Sequence, residues 1–139
     1  MITTLSELVA QLESANKPFA IRFEPHYQPS QANVLKCAGL NGCNYSTAEM
    51  ICRCSWGLFQ IMGDNLYSLG LDVSISRYWT DTDIQATYFH RFLAAKKIDF
   101  ELDEILTDKS IRERFALKYN GSLLYAERLM NIYNQYKGK

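Results

Sequence analysis

"LESANKPFAIRFEPHY", residues 12–27, changes its period halfway along. Up to Ser14 the apolar residues keep helical spacing. Leu5, Leu8, Val9 and Leu12 fall at i, i+3, i+4 and i+7, behind a Thr4-Leu5-Ser6-Glu7 capping box. Asn16, Lys17 and Pro18 then stop the helix. Phe19, Ile21 and Phe23 alternate with Ala20, Arg22 and Glu24, a period of two that predicts a short strand closed by Pro25. The strand is a small β excursion in a chain that is otherwise mostly short helices. The stretch sets one glutamate, Glu13, at the end of the helix and a second, Glu24, at the end of the strand.

Outward from that stretch the pattern is mostly helical. A polar segment containing Pro and Gly, from about Pro25 to Asn44, reads as a loop. Ser46-Thr47-Ala48-Glu49 predicts a second capping box, opening a helix through Met50 and Ile51. "LFQIM", bracketed by Gly57 and Gly63, is too apolar for a surface loop. Asp64 to Leu69 predicts a short helix ended by Gly70. Asp81 caps a segment carrying Ile84, Tyr88, Phe92 and Leu93, and Glu101 to Leu106 predicts one more turn. Asp108 caps "KSIRERFALKY", which stops at Asn120-Gly121. Ser122 starts the last helix, with Tyr125, Leu129, Ile132, Tyr133 and Tyr136 at helical spacing. The expectation is one predominantly α-helical α+β domain over residues 1–139, with a small β excursion near residues 19–24.

At 139 residues, 47% apolar and 22% charged, the composition is that of a globular domain able to bury a core. Fifteen basic and fifteen acidic residues cancel, and no nucleic-acid partner is expected. From Lys109 to Lys139 seven basic residues face two acidic ones, whereas Asp99–Asp108 holds five acids and no base. That basic last third suits either an anionic surface or a solvated helix face. No run of about 18 apolar residues is present, so no membrane span is expected. The N-terminus lacks the cationic start and apolar run of a secretory signal.

All four cysteines, Cys37, Cys43, Cys52 and Cys54, fall within eighteen residues. Their spacing matches no common zinc pattern and encloses no histidine, so no metal is expected. Free buried thiols and one or two disulfides both remain open. Cys52 and Cys54 diverge by about 200° if helical, which makes a bond between them awkward. A bridge from the 37–43 loop to the 52–54 segment is the preferred pairing.

Glu13 lies one helical turn after Val9, at the edge of the apolar stripe. Partial burial and the partial negative charge of the helix C-terminus both favour its neutral form. A carboxyl that keeps its proton suits general-acid catalysis, although many such glutamates are merely solvated. Glu24 shares a strand face with Arg22, either in a simple ion pair or as a second carboxylate held ionised. Two carboxylates so divided are what glycoside cleavage uses; the best-studied case of that division is itself a lysozyme.

The ordered set "LES" (12–14), "AIRFEPH" (20–26), "SWGLFQIMG" (55–63) and "KYNG" (118–121) resembles phage muramidases and lytic transglycosylases of lysozyme-like fold. It is most similar to the phage N-acetylmuramidase endolysins, over about residues 5–136. The resemblance implies a general acid at Glu13 and a second catalytic carboxylate at Glu24. It implies substrate contacts from Ser55 and Gln60 in the glycine-flanked turn, and from Tyr119 and Asn120 on the far wall. His26 matches the family's histidine and orients Glu24 in the simpler reading. Trp56 is read as core beneath the turn rather than as a sugar-stacking face. The gap between Glu13 and Glu24 is shorter than in many relatives because no Gly-rich insertion follows "LES".

The function so implied is cleavage of the β-1,4 bond between N-acetylmuramic acid and N-acetylglucosamine in peptidoglycan glycan strands. A lytic transglycosylase forming 1,6-anhydro ends is the runner-up, and a non-catalytic wall-binding module is a third reading. No cofactor is needed, and a monomer is expected. With no signal sequence, the protein is expected to reach the wall after phage-mediated release or as a virion component. Without room for a wall-binding module at either end, targeting is expected to come from the domain itself.

Overall fold

The opening capping box forms as the sequence predicts. Helix α1 spans Leu5–Ser14; the Thr4 side chain accepts from the Glu7 N–H, and the Glu7 carboxylate accepts from the Thr4 N–H. The computed structural model describes residues 1–138, so Lys139, the last of the basic residues counted above, lies outside the described residues. Ala15 and Asn16 both adopt left-handed backbone angles (φ 53° and 61°), which ends α1 abruptly and sends the chain into β1, Ile21–Phe23.

Strand β1 is the edge of a three-stranded antiparallel sheet, completed by β2 (Cys54–Trp56) and β3 (Ile61–Met62) in the order β1-β2-β3. Ile21 pairs with Trp56, Phe23 with Cys54, and Trp56 with Ile61. Sequence period located β1 but not the β2–β3 hairpin, whose strands are too short to display a period. The apolar side of β1 is open: Phe19, Ile21 and Phe23 are 58%, 47% and 42% exposed. Their alternation sets the pleat of the strand, not a buried face.

Three expectations are corrected. The segment from Pro25 to Asn44 is not all loop, because α2 occupies Gln31–Asn41. Ser30 caps it by accepting from the Asn33 N–H, and Gly42 closes it at φ 61°. Its buried residues are Asn33, Val34 and Cys37, a face too polar to read as a helical stripe. Next, the cap of α3 (Tyr45–Cys52) is Asn44, whose side chain accepts from the Thr47 N–H at 2.9 Å, rather than Ser46. Finally, the four cysteines are free thiols and the expected bridge is not formed. Cys37 sits within α2, its buried sulfur turned towards the Ala48 carbonyl at 3.7 Å and the Cys52 thiol.

Helices α4 (Gly63–Ser68), α6 (Thr82–Ala95), α7 (Leu102–Thr107), α8 (Lys109–Tyr119) and α9 (Leu124–Tyr136) follow the predicted segments, whereas α5 (Ile75–Trp79), capped by Ser74, is not anticipated from the sequence. The last helix begins two residues beyond Ser122, whose hydroxyl accepts from the Leu124 N–H. Helix α1 packs on α9, with Leu8, Val9, Tyr125 and Leu129 all buried. Much of the basic excess of α8 is engaged locally. Arg112 donates to the last carbonyls of α7, Lys109 pairs with Glu113, and Arg114 and Lys118 lie over the Phe100 ring.

One buried side chain ties the sheet to the helices. Gln85 of α6 is fully buried; its Oε1 accepts from the Leu58 N–H at 2.8 Å, and its Nε2 donates to the carbonyls of Pro18 and Trp79, each at 3.1 Å. A buried amide with every group satisfied specifies one arrangement of the loops it joins. Gly57 makes room for it: φ is 79°, and a Cβ there would collide with the Gln85 side chain. The architecture is predominantly helical α+β and lysozyme-like.

Candidate active site

The end of α1, the edge strand, the hairpin and the end of α8 surround a cleft of about 420 Å³. Glu13, Glu24, His26, Ser55, Gln60, Tyr119 and Asn120 all line it. After the left-handed turn at Ala15 and Asn16, β1 carries Glu24 to the same cleft as Glu13. Backbone bonds then hold β1 in place: Gly57 N–H donates to the Ala20 carbonyl at 2.8 Å, and Glu24 N–H to the Arg53 carbonyl at 2.9 Å.

Glu13 is half-buried in the last turn of α1, and burial raises its pKa above the usual carboxylate value. The wall beside it is aromatic. Tyr119 stacks on Phe115 at 5.6 Å and on Tyr125 at 5.8 Å, with Phe92 edge-on at 5.3 Å. Tyr119 and Tyr125 both feel the Glu13 charge. The Tyr125 hydroxyl, which has no closed hydrogen bond to another group, faces the carboxyl and opposes the shift, as do Arg128 and Arg22. Desolvation outweighs all three, so the neutral acid is favoured.

Glu24 has a different setting. Its Oε1 is 3.1 Å from Arg22 Nε, with side chains 41% and 67% exposed. A pair so wet contributes at most about 1 kcal/mol to stability. Its value here is placement: the charge-assisted bond orients a carboxylate in the cleft while water still reaches it.

The hairpin residues act mainly on one another. Gln60, at φ 51°, donates from Nε2 to the carbonyls of Gly57 (2.9 Å) and Ala20 (3.1 Å), and its Oε1 accepts from Ser55 Oγ at 2.8 Å. Gln60 thus braces the cleft floor against β1. Gly63 admits the close approach of the Ile51 carbonyl, which a Cβ would strike. Trp56 is buried and donates from Nε1 to that same carbonyl at 2.9 Å, a core position. On the far wall the Tyr119 hydroxyl donates to the Phe59 carbonyl at 2.9 Å, and Asn120 caps α8 at the cleft edge. His26 is exposed at the rim.

Sequence reasoning missed Tyr27, Asn65 and Phe92, which also line the cleft, and Asp64 behind it. Phe92 looked like one more member of a helical stripe, and Asp64 like any acid in a first turn. Asp64 is in fact buried, accepting from Tyr27 Oη at 2.7 Å, Asn33 Nδ2 at 2.9 Å and Ser30 N–H at 3.1 Å. Among the described residues, no group of three or more His, Cys, Asp or Glu side chains is placed to hold a metal ion. Nor is any helix among them long and apolar enough to cross a membrane.

The family model described as Muramidase, N-acetylmuramidase, matches residues 42–137. The endolysin of Enterobacteria phage PRD1 is 31% identical over 137 residues, covering 91% of this chain and 92% of that protein. No solved structure matches the chain. The family model begins after Glu13 and Glu24 and takes in the hairpin and the far wall, whereas the phage relative runs along nearly the whole chain. On both grounds the chain belongs to the N-acetylmuramidase family, glycoside hydrolases that act on peptidoglycan.

Proposed function

We propose that the enzyme hydrolyses the β-1,4 bond between N-acetylmuramic acid and N-acetylglucosamine, with Glu13 as general acid and Glu24 as the second carboxylate. The observation that carries this reading is the unlike pair in one cleft: a half-buried carboxyl whose pKa burial raises, and another seated on a wet guanidinium. Glu13 delivers its proton to the glycosidic oxygen as positive charge develops on the sugar ring. Glu24 stabilises that charge or activates the incoming water. The same cleft holds the glycan through its floor and far wall, and residues 1–139 form a single catalytic domain. The phage relative's name, endolysin, supports a role in wall lysis, and we propose access to the wall after phage-mediated release or as a virion component.

Mass spectrometry of muropeptides released from purified sacculi tests the reaction. Reducing muramic ends are expected. Products ending in 1,6-anhydro rings would replace hydrolysis with intramolecular transglycosylation, and no release at any pH from about 5 to 8 would leave a wall-binding module.

A further inference from the structure

Tyr27 is the one of the cleft's three aromatics with no ring partner among the described residues. Phe92 is buried and lies edge-on to Tyr119, and Tyr119 packs against both Phe115 and Tyr125. Tyr27 lines the same cleft, yet among the described residues no other ring and no cation packs on its face. It is also held at both ends. Its hydroxyl donates to the buried Asp64 carboxylate at 2.7 Å, and its backbone N–H donates to the Glu24 carbonyl at 3.2 Å. Asp64 is itself fixed, since its other oxygen accepts from Asn33 and Ser30.

We infer that Tyr27 is a substrate-binding residue, its ring a preset platform for the apolar face of an N-acetylhexosamine on the Glu24 side of the cleft, with Asp64 as the positioning residue that locks it. A pyranose presents C–H groups on its faces, and an aromatic ring in a groove offers them apolar surface and dispersion contact. A ring already ordered in the free protein loses little conformational entropy when the sugar arrives. The short link to Glu24 makes the platform a register mark as well: a sugar seated on Tyr27 is held at a set distance from the second carboxylate. This inference rests on the glycan-cleaving reading of the same cleft.

The test uses the full chain and a soluble tetrasaccharide of alternating N-acetylglucosamine and N-acetylmuramic acid. Turnover by the native protein checks the underlying reading by itself. In Tyr27→Leu, KM is expected to rise about tenfold, with kcat changed less than KM, as removal of uniform binding requires. Tyr27→Phe keeps the ring but releases it from Asp64, and a smaller rise of about two- to threefold is expected. Tyr27→Trp keeps a stacking face, and its added indole fluorescence is expected to change when the tetrasaccharide saturates the site. Calorimetry of the same sugar with Glu13→Gln and with the Glu13→Gln, Tyr27→Leu double variant separates binding from chemistry. Equal affinity in those two proteins, or an indole blind to bound sugar, overturns the platform even if hydrolysis stands.

Discussion

The two walls of the cleft carry the same functional group and treat it in opposite ways. On one side Glu13 sits at the end of α1 against stacked rings from α8 and α9, and burial holds its proton. On the other, Glu24 hangs from an edge strand in contact with water and Arg22. The two are separated by only eleven residues in the chain. What distinguishes them is not sequence distance but what packs behind each. Helix α1 has α9 at its back, whereas β1, as the edge of its sheet, leaves its apolar face exposed.

That contrast is broken most severely by Glu13→Gln. Removing the acid is expected to cost about 10⁴-fold in clearing of outer-membrane-permeabilised cells, the upper range for proton transfer by a positioned side chain. Glu24→Gln is expected to lose at least about a hundredfold in the same turbidity assay. Near-normal turnover there would leave one carboxyl doing all the work and would favour transglycosylation. A finer test is the pH profile of kcat/KM. Its alkaline limb is expected to lie above the usual carboxylate range and to report the Glu13 proton.

The smallest effect is on stability. The folded pKa of Glu13 exceeds the unfolded one, so the folded state binds that proton more tightly. Stability is therefore greatest below the ordinary carboxylate pKa and falls as pH rises through the raised value. Glu13→Gln removes the penalty. Its melting temperature is expected to exceed that of the native protein at neutral pH, with the gain vanishing in acid; a lower melting temperature at neutral pH would show that the ionised carboxylate is well accommodated.

Much of the cleft lining was legible: Glu13 and Glu24 stand beside breaks in the pattern, and the resemblance to phage muramidases pointed to His26, Ser55, Gln60, Tyr119 and Asn120. The helix stop at Asn16–Pro18, the alternation through Glu24 and the glycines around "LFQIM" each mark where the chain must turn. Residues without such a neighbour stayed hidden. Gln85 and Asn33 are polar members of helical stripes, and their burial makes sense only once their partners arrive from Leu58, Pro18 and Asp64. Gln60 adds a role the sequence did not show. The family resemblance implied a contact to sugar, and Gln60 lines the cleft, where its amide also braces the hairpin. The cysteine pairing failed for a related reason, since the supposed loop around Cys37 is a helix whose buried face is partly polar.

Local pattern alone determined that a capped helix breaks into a strand and that a glutamate stands near the end of each. It determined the order of the later helices as well, because caps and periods act over a few residues. Tertiary structure alone decided which side chains pack around each acid, the rings of α8 and α9 beside Glu13 and Arg22 with water beside Glu24, and that Tyr27 is clamped by a carboxylate thirty-seven residues away. Solvation is a property of whatever packs around a group, and that packing is brought from distant parts of the chain.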